Sequence, residues 1–136
     1  MDKNTKYCNS LTAYNRLESR EVAVGNVNFG GENPIRLQSM TTTDTMDTEG
    51  SVAQAVRMIE AGCELVRYTA PSKREAENLK NIRAELDKLN LTTPLVADIH
   101  FTPNAAEVAA LHIEKIRVNP GNYADKKKFE EIEYTD

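Results

Sequence analysis

Residues 95–101 read Leu-Val-Ala-Asp-Ile-His-Phe, an apolar run that ends in a carboxylate and an imidazole, Asp98 and His100. Side chains alternate between the two faces of a β-strand, so Val96, Asp98 and His100 share one face and Leu95, Ala97 and Ile99 the other. Apolar residues on both faces mark a buried parallel strand. A buried carboxylate and imidazole at its carboxyl end need polar partners, which neighbouring segments must bring.

Working outward, strand and helix rhythms alternate. Upstream, Glu64–Thr69 reads as a strand, and Ser72 with Glu75 has capping-box spacing for a helix whose apolar stripe is Leu79, Ile82, Leu86 and Leu89. Before that lie a short strand, Ile35–Met40, and a helix over Thr48–Ala61 with Val52, Ala55, Val56 and Ile59 on one face and Gly62 as its stop. Downstream, Thr102 and Pro103 read as an N-cap and first-turn proline of a small-residue helix through Ala105, Ala106, Ala109 and Ala110, and Glu114–Asn119 as another strand. At the front, Val22, Val24, Val27 and Phe29 alternate around Gly25-Asn26, which predicts a β-hairpin over Arg20–Phe29. Residues 1–17 show no period and are expected to be a mobile lead-in.

This is α/β patterning: parallel (β/α) units preceded by an N-terminal β-hairpin. A complete (β/α)8 barrel takes roughly 250 residues, so four strands in 136 residues predict about half of one, with residues 18–136 as the N-terminal half of a substrate-binding barrel. A complete small doubly wound sheet is the alternative. The C-terminal run after Asn122, which offers no closing strand, favours the half-barrel.

Composition removes whole classes of function. There are 17 basic and 21 acidic residues, net −4, with no basic stripe, which argues against a nucleic-acid surface. No apolar run approaches the roughly 20 residues that span a bilayer, and Met1–Ser10 lacks a signal-peptide core, so a cytoplasmic location is expected. Two cysteines, Cys8 and Cys63, allow neither a disulfide framework nor a clustered thiolate metal site within the chain.

The polar residues of the strands gather at one end: Gln38, Met40 and Thr41 on the first, Arg67 and Thr69 on the second, Asp98 and His100 on the third, Arg117 and Asn119 on the fourth. Ligands bind at the carboxyl ends of the strands in parallel α/β folds. Two guanidiniums converging there suit phosphate or carboxylate oxygens, and without a P-loop or G-x-G-x-x-G run the anion is to be held by side chains. Plainer readings compete: Arg67, Asp98 and Arg117 as an internal ion-pair layer, His100 as a structural histidine, His112 as a helix C-terminal cation, Cys63 as core packing and Lys126–Lys128 as a solvated helix face.

Taken together, Gln38-Ser39-Met40-Thr41, Asp44-Thr45, Glu60-Ala61-Gly62-Cys63, Val66-Arg67, Leu95–Phe101 and Lys115–Asn122 resemble, in order, the N-terminal part of the TIM-barrel domain of the 4-hydroxy-3-methylbut-2-enyl diphosphate synthase family. The tail through Glu133-Tyr134-Thr135-Asp136 looks more like the family's longer, three-domain type. The resemblance implies an oxidoreductase of non-mevalonate isoprenoid biosynthesis that opens 2-C-methyl-D-erythritol 2,4-cyclodiphosphate reductively. It implies that Arg67 and Arg117 bind the diphosphate, that Asn119, Gln38, Met40 and Thr41 complete the substrate-binding set, and that Asp98 and His100 act as the catalytic pair, orienting substrate or supporting proton transfer. It further implies a [4Fe-4S] cluster in a domain absent from this chain, reduced ferredoxin or flavodoxin as donor, and a homodimer. Thr42 departs from the family's usual asparagine. Without cluster ligands the chain alone is expected to be inactive, and its first and last strands to present open edges. Two other readings are a pterin-binding barrel of the dihydropteroate-synthase kind and a non-catalytic anion-binding module.

Overall fold

Gly25, at φ +56°, turns the chain between strands β1 (Val22–Val24) and β2 (Val27–Phe29), which pair antiparallel with Val24 opposite Val27. The computed structural model describes residues 12–13, 18–121 and 123. Most of the expected lead-in, Cys8 and Lys126–Lys128 lie outside them. After the hairpin come β3 (Gln38–Met40), α1 (Thr48–Glu60), β4 (Leu65–Ala70), α2 (Lys73–Lys88), β5 (Leu95–Ile99), α3 (Pro103–Ala110) and β6 (Lys115–Val118). The last four strands form one parallel sheet in the order β3-β4-β5-β6, with a helix in each crossover. The architecture is that of a partial (β/α)8 barrel.

Alternation sorts the side chains into two apolar sets. Val66, Tyr68 and Ala70 of β4 and Leu95, Ala97 and Ile99 of β5 pack on the helices, chiefly against Leu79, Ile82 and Leu86 of α2 and the alanines of α3. Full burial contributes about 1.5–3 kcal/mol for each large aliphatic side chain. That is enough to seat α2, whose remaining residues are mostly charged or polar. Tyr68 is wholly buried and its hydroxyl donates to the Ser51 carbonyl of α1. Burial pushes its phenol far up, so the donor stays protonated at any working pH.

The opposite sheet face points into the barrel. There Leu65 and Val96 meet Val24, flanked by Val27 and Phe29, so the hairpin covers the amino-terminal end of the sheet. Its turn packs beside Pro94 and Glu114, and Asn26 donates to the Thr92 hydroxyl. The Lys115 ammonium sits 4.9 Å over the Phe29 ring, a cation–π contact that joins hairpin and sheet.

Two local expectations change and one holds. β3 begins at Gln38, not Ile35: Ile35 is 94% exposed, the Leu37 N–H donates to the Glu64 carboxylate, and the Arg36 guanidinium binds that same carboxylate. A side-chain clamp adds to the backbone bonds that the Leu37 carbonyl accepts from the Glu64 and Leu65 N–H groups. Thr102 precedes α3 as expected but makes no cap bond; its hydroxyl donates instead to the Pro71 carbonyl and ties the β5–α3 loop to the β4–α2 loop. Ser72 does cap α2, accepting from the Arg74 N–H while donating to the Glu75 carboxylate.

The α2–β5 connection hangs on one cation. Arg83, with 11% of its side chain exposed, donates to the carbonyls of Thr93 and Leu91 and to the Asp87 carboxylate. Its removal strands two carbonyls that helix and strand cannot satisfy. Arg83→Met is therefore expected to lower the unfolding free energy by about 2–3 kcal/mol, against less than about 0.5 kcal/mol for exposed Lys80→Met. Urea denaturation followed by circular dichroism measures both, and equal midpoints for the two variants would contradict the assignment.

Candidate functional site

Strand register stacks the barrel-facing residues in layers. Met40 lies level with Arg67, Arg67 with Val96, and Val96 with Lys115. One layer nearer the carboxyl ends, Thr69 lies level with Asp98 and Asp98 with Arg117. Successive layers are two residues apart, about 6.6 Å. Gln38 pairs with Leu65, which places it a layer below Met40, on the hairpin side. Gln38 is thus not brought to the mouth with the others.

Asp98 is the hub. Its side chain is only 4% exposed, and its two oxygens take different arginines: Arg67 Nη2 lies 2.5 Å from Oδ2 and Arg117 Nη1 3.0 Å from Oδ1. Arg67 reaches up from the layer beneath; Arg117 reaches across from the neighbouring strand. Arg67 is 23% and Arg117 44% exposed, so the carboxylate is buried and the cations face the opening. Two guanidiniums on one carboxylate leave the cluster with a net positive charge. Burial pushes the Asp98 carboxyl up, but hydrogen bonds from Arg67 and Arg117, aided by their charges, pull harder and hold it below the usual carboxylate range.

The other predicted residues surround this hub unevenly. His100 follows the last residue of β5; its ring is 6.2 Å from the Phe101 ring, and its Nδ1 is buried without a hydrogen-bond partner. Arg67 Nε is the other buried side-chain polar atom of this kind among the described residues. Buried polar atoms are nearly always paired, so two exceptions at one mouth mark where an acceptor or donor is wanted. Asn119, just past β6, accepts from the Gly121 N–H and turns the chain there. Met40 shares Arg67's layer. Thr41 is buried, and its hydroxyl donates to the Arg67 carbonyl, so it braces β4 and its proton is not offered to a ligand.

Sequence reading passed over the groups that hold the loop above β3. Asn78 of α2 is buried and donates to the Thr45 carbonyl at 2.7 Å, and Thr45 donates to the Thr69 carbonyl at 2.7 Å. The available signal was an amide next to Leu79 in the helix's apolar stripe, where a polar residue needs a buried partner. Gln54 of α1 accepts from both the Thr42 and Thr43 N–H groups. Nothing in its sequence context sets it apart from an ordinary helix-surface glutamine.

Acid stability should report on the hub. A carboxyl held low contributes stability that is complete above the ordinary aspartate pKa of about 3.9 and is lost as pH falls through the lowered folded-state value. Asp98→Asn removes that pH-dependent share: the variant is less stable than wild type at neutral pH, and its acid limb is shallower. The neutral-pH loss falls short of the about 3–5 kcal/mol typical of a fully buried pair, because both arginines reach solvent. Thermal unfolding followed across the acid range is the measurement; superimposable acid limbs would refute the assignment.

Residues 19–135 match the GcpE TIM-barrel domain. Three curated relatives carry the name 4-hydroxy-3-methylbut-2-en-1-yl diphosphate synthase (flavodoxin). That of Parabacteroides distasonis is 60% identical over 124 residues, 90% of this chain and 20% of the relative. That of Akkermansia muciniphila is 56% identical over 132 residues, 97% of this chain and 23% of the relative. That of Leptospira interrogans is 53% identical over 133 residues, 98% of this chain and 20% of the relative. The chain therefore spans about a fifth of the length of the curated relatives it matches. Neither a pterin-binding barrel nor a non-catalytic module is favoured by these matches. Since the match runs through every strand and every residue of the arginine–aspartate hub, the chain belongs to the GcpE TIM-barrel domain family.

Proposed function

We propose that this chain is the N-terminal part of the barrel of a synthase that reductively opens 2-C-methyl-D-erythritol 2,4-cyclodiphosphate to 4-hydroxy-3-methylbut-2-enyl diphosphate, and that its share of the work is to bind and orient the cyclic diphosphate. The observation that carries this is the Arg67–Asp98–Arg117 hub. A multiply charged anion enters a partly desolvated mouth only where fixed cations meet it, and Asp98 fixes two before it arrives. Diphosphate oxygens can engage the solvent-facing parts of the two guanidiniums that Asp98 leaves open. The name borne by the relatives supports the same substrate and supports flavodoxin as donor; ferredoxin is the other candidate, and the working form we propose is a cytoplasmic homodimer.

The residues described here do not themselves fit a [4Fe-4S] cluster, which takes about four thiolates. Cys63 is the cysteine among them; it lies between α1 and β4, at the end of the sheet away from the mouth, with its thiol on the Leu65 carbonyl. Among the described residues no group of three His, Cys, Asp or Glu could hold a metal. No helix among them is long and apolar enough to cross a membrane. Electrons must therefore come from outside this part of the protein, and the task left to it is binding, orientation and proton handling. His100, which follows β5 two residues past Asp98 and whose Nδ1 is buried and unpartnered, is the group we assign to move or hold a proton.

Two outcomes test this in the full-length enzyme carrying these residues. Arg67→Ala and Arg117→Ala should each weaken cyclodiphosphate binding, measured calorimetrically, by about tenfold to a hundredfold, with the larger loss for the less exposed Arg67; unchanged affinity in both would end the proposal. His100→Gln should lower kcat by about a hundredfold or more while KM moves little. A pH–rate profile identical in shape and height to that of wild type would rule out proton handling by His100.

A further inference from the structure

Every strand-end residue of the hub depends on where the backbone of β4 ends, and that end is tied to the β3–α1 loop, residues 41–47. The Thr41 N–H donates to the Arg67 carbonyl at 2.9 Å, and the Thr45 hydroxyl to the Thr69 carbonyl at 2.7 Å. These two bonds bracket the top of β4, from which Arg67 points at Asp98. Arg67 has one ion pair in the described structure, through Nη2, while its Nε is buried and unpartnered. Its aim is therefore set by two things together, the ion pair to Asp98 and the position of its own backbone.

The loop is in turn held from outside the barrel. Gln54 Oε1 accepts from the Thr42 N–H at 3.0 Å and the Thr43 N–H at 3.2 Å, and Gln54 Nε2 donates to the Thr42 hydroxyl at 3.1 Å. One side chain thereby satisfies two consecutive backbone donors and one hydroxyl in a segment without regular structure. Ser51 donates to the Asp44 carbonyl at 3.1 Å, and Asn78 holds the Thr45 carbonyl from α2. Ser51 also shares a 3.1 Å hydrogen bond with the Thr43 hydroxyl, but Gln54 is the member of this set that holds the backbone N–H groups of Thr42 and Thr43.

We infer that Gln54 is a positioning residue for the anion site: through Thr42 and Thr43 it sets the loop that fixes the end of β4, so that Arg67 stands ready before the ligand binds. This rests on the proposed diphosphate role of the hub and adds a residue that the hub's geometry alone does not reveal. Preorganisation of this kind is felt as affinity, because a loosened loop must be ordered again when ligand binds.

The test uses the full-length protein and two readouts, calorimetric titration with the cyclodiphosphate and residue-resolved amide exchange. Gln54→Leu keeps the side chain's bulk but loses all three bonds. It is expected to weaken binding about tenfold and to speed exchange at Thr42 and Thr43, with exchange along Leu95–Ile99 unchanged. Gln54→Glu, which keeps an acceptor for both N–H groups, is expected to restore slow exchange at Thr42 and Thr43. Wild-type binding combined with unaltered affinity in Gln54→Leu overturns the inference while leaving the proposed function standing. So does weakened binding without faster exchange at those two amides, or faster exchange that spreads through Leu95–Ile99, which would mark Gln54 as a residue of global stability. Failure of the wild-type protein to bind the cyclodiphosphate overturns the proposed function, and this inference with it.

Discussion

A carboxylate buried inside a parallel sheet is tolerable only when both its oxygens are answered, and the arrangement around Asp98 follows from that constraint. Removing a carboxylate from water costs several kcal/mol, so Asp98 needs one cation on each side. The strand order β4-β5-β6 supplies them: Arg117 lies level with Asp98 on one neighbour, and Arg67 on the other reaches up from one layer below. A long, forked guanidinium can bridge that offset where a lysine ammonium would give a single point contact. The parallel order itself depends on helical crossovers, since parallel neighbours cannot be joined by a tight turn. The apolar stripe of α2 and the small residues of α3 are in this sense part of the site's electrostatics.

Much of this was legible in the sequence because strand alternation has a period of two and leaves little freedom. Once Leu95–Ile99 is read as a strand, the faces of Asp98, Arg67 and Arg117 follow, and the two apolar sets found against helices and hairpin are the ones that alternation assigns. What alternation cannot give is height. Gln38 and Met40 share a face, yet register with Leu65 puts Gln38 on the hairpin side of the barrel. Nor does it reveal which polar groups answer each other across the chain. Thr41 reads as a mouth hydroxyl but donates to a carbonyl of the next strand; Thr102 reads as a cap but reaches the preceding loop. Asn78 and Thr45 are 33 positions apart, and no local pattern connects them. Edges fail for a related reason: Ile35–Leu37 has strand composition, but Ile35 is exposed and the Glu64 carboxylate takes the Arg36 guanidinium and the Leu37 N–H.

The two buried unpartnered atoms, Arg67 Nε and His100 Nδ1, belong to different chemistries: Arg67 lies in β4 and pairs with Asp98, and His100 follows β5 directly, two residues past Asp98 in the chain. Elsewhere in the described structure buried polar side-chain atoms are satisfied, down to the Asn78 amide, which makes bonds to Thr45, Thr48 and Asn81. An arginine nitrogen is always a donor, whereas an imidazole nitrogen is donor or acceptor according to protonation. The two thus differ in kind: one is a fixed hydrogen-bond donor, the other a group whose hydrogen-bonding sense can change. Under the proposed function, the first would help to hold the anion and the second would handle the proton.

The same logic separates the roles of the barrel's two ends. At the amino-terminal end the interior is closed by apolar contact among Val24, Leu65, Val96 and Phe29, with Lys115 resting on the Phe29 ring. Such packing is insensitive to pH and salt. At the carboxyl end the interior residues are charged and held to one another by ion pairs, with Asp98 buried and its two arginines partly exposed, an arrangement that responds to acid. Apolar packing and charge are thereby assigned to different layers of one sheet, barely two residue pairs apart. The layer between them, Met40, Arg67, Val96 and Lys115, is where they meet: Val96 completes the apolar floor, while Arg67 leaves the same layer to reach Asp98 above. A substitution that tilted β4 by even a fraction of a layer would disturb floor and hub together, which is why the loop bonds that fix the top of β4 bear on both.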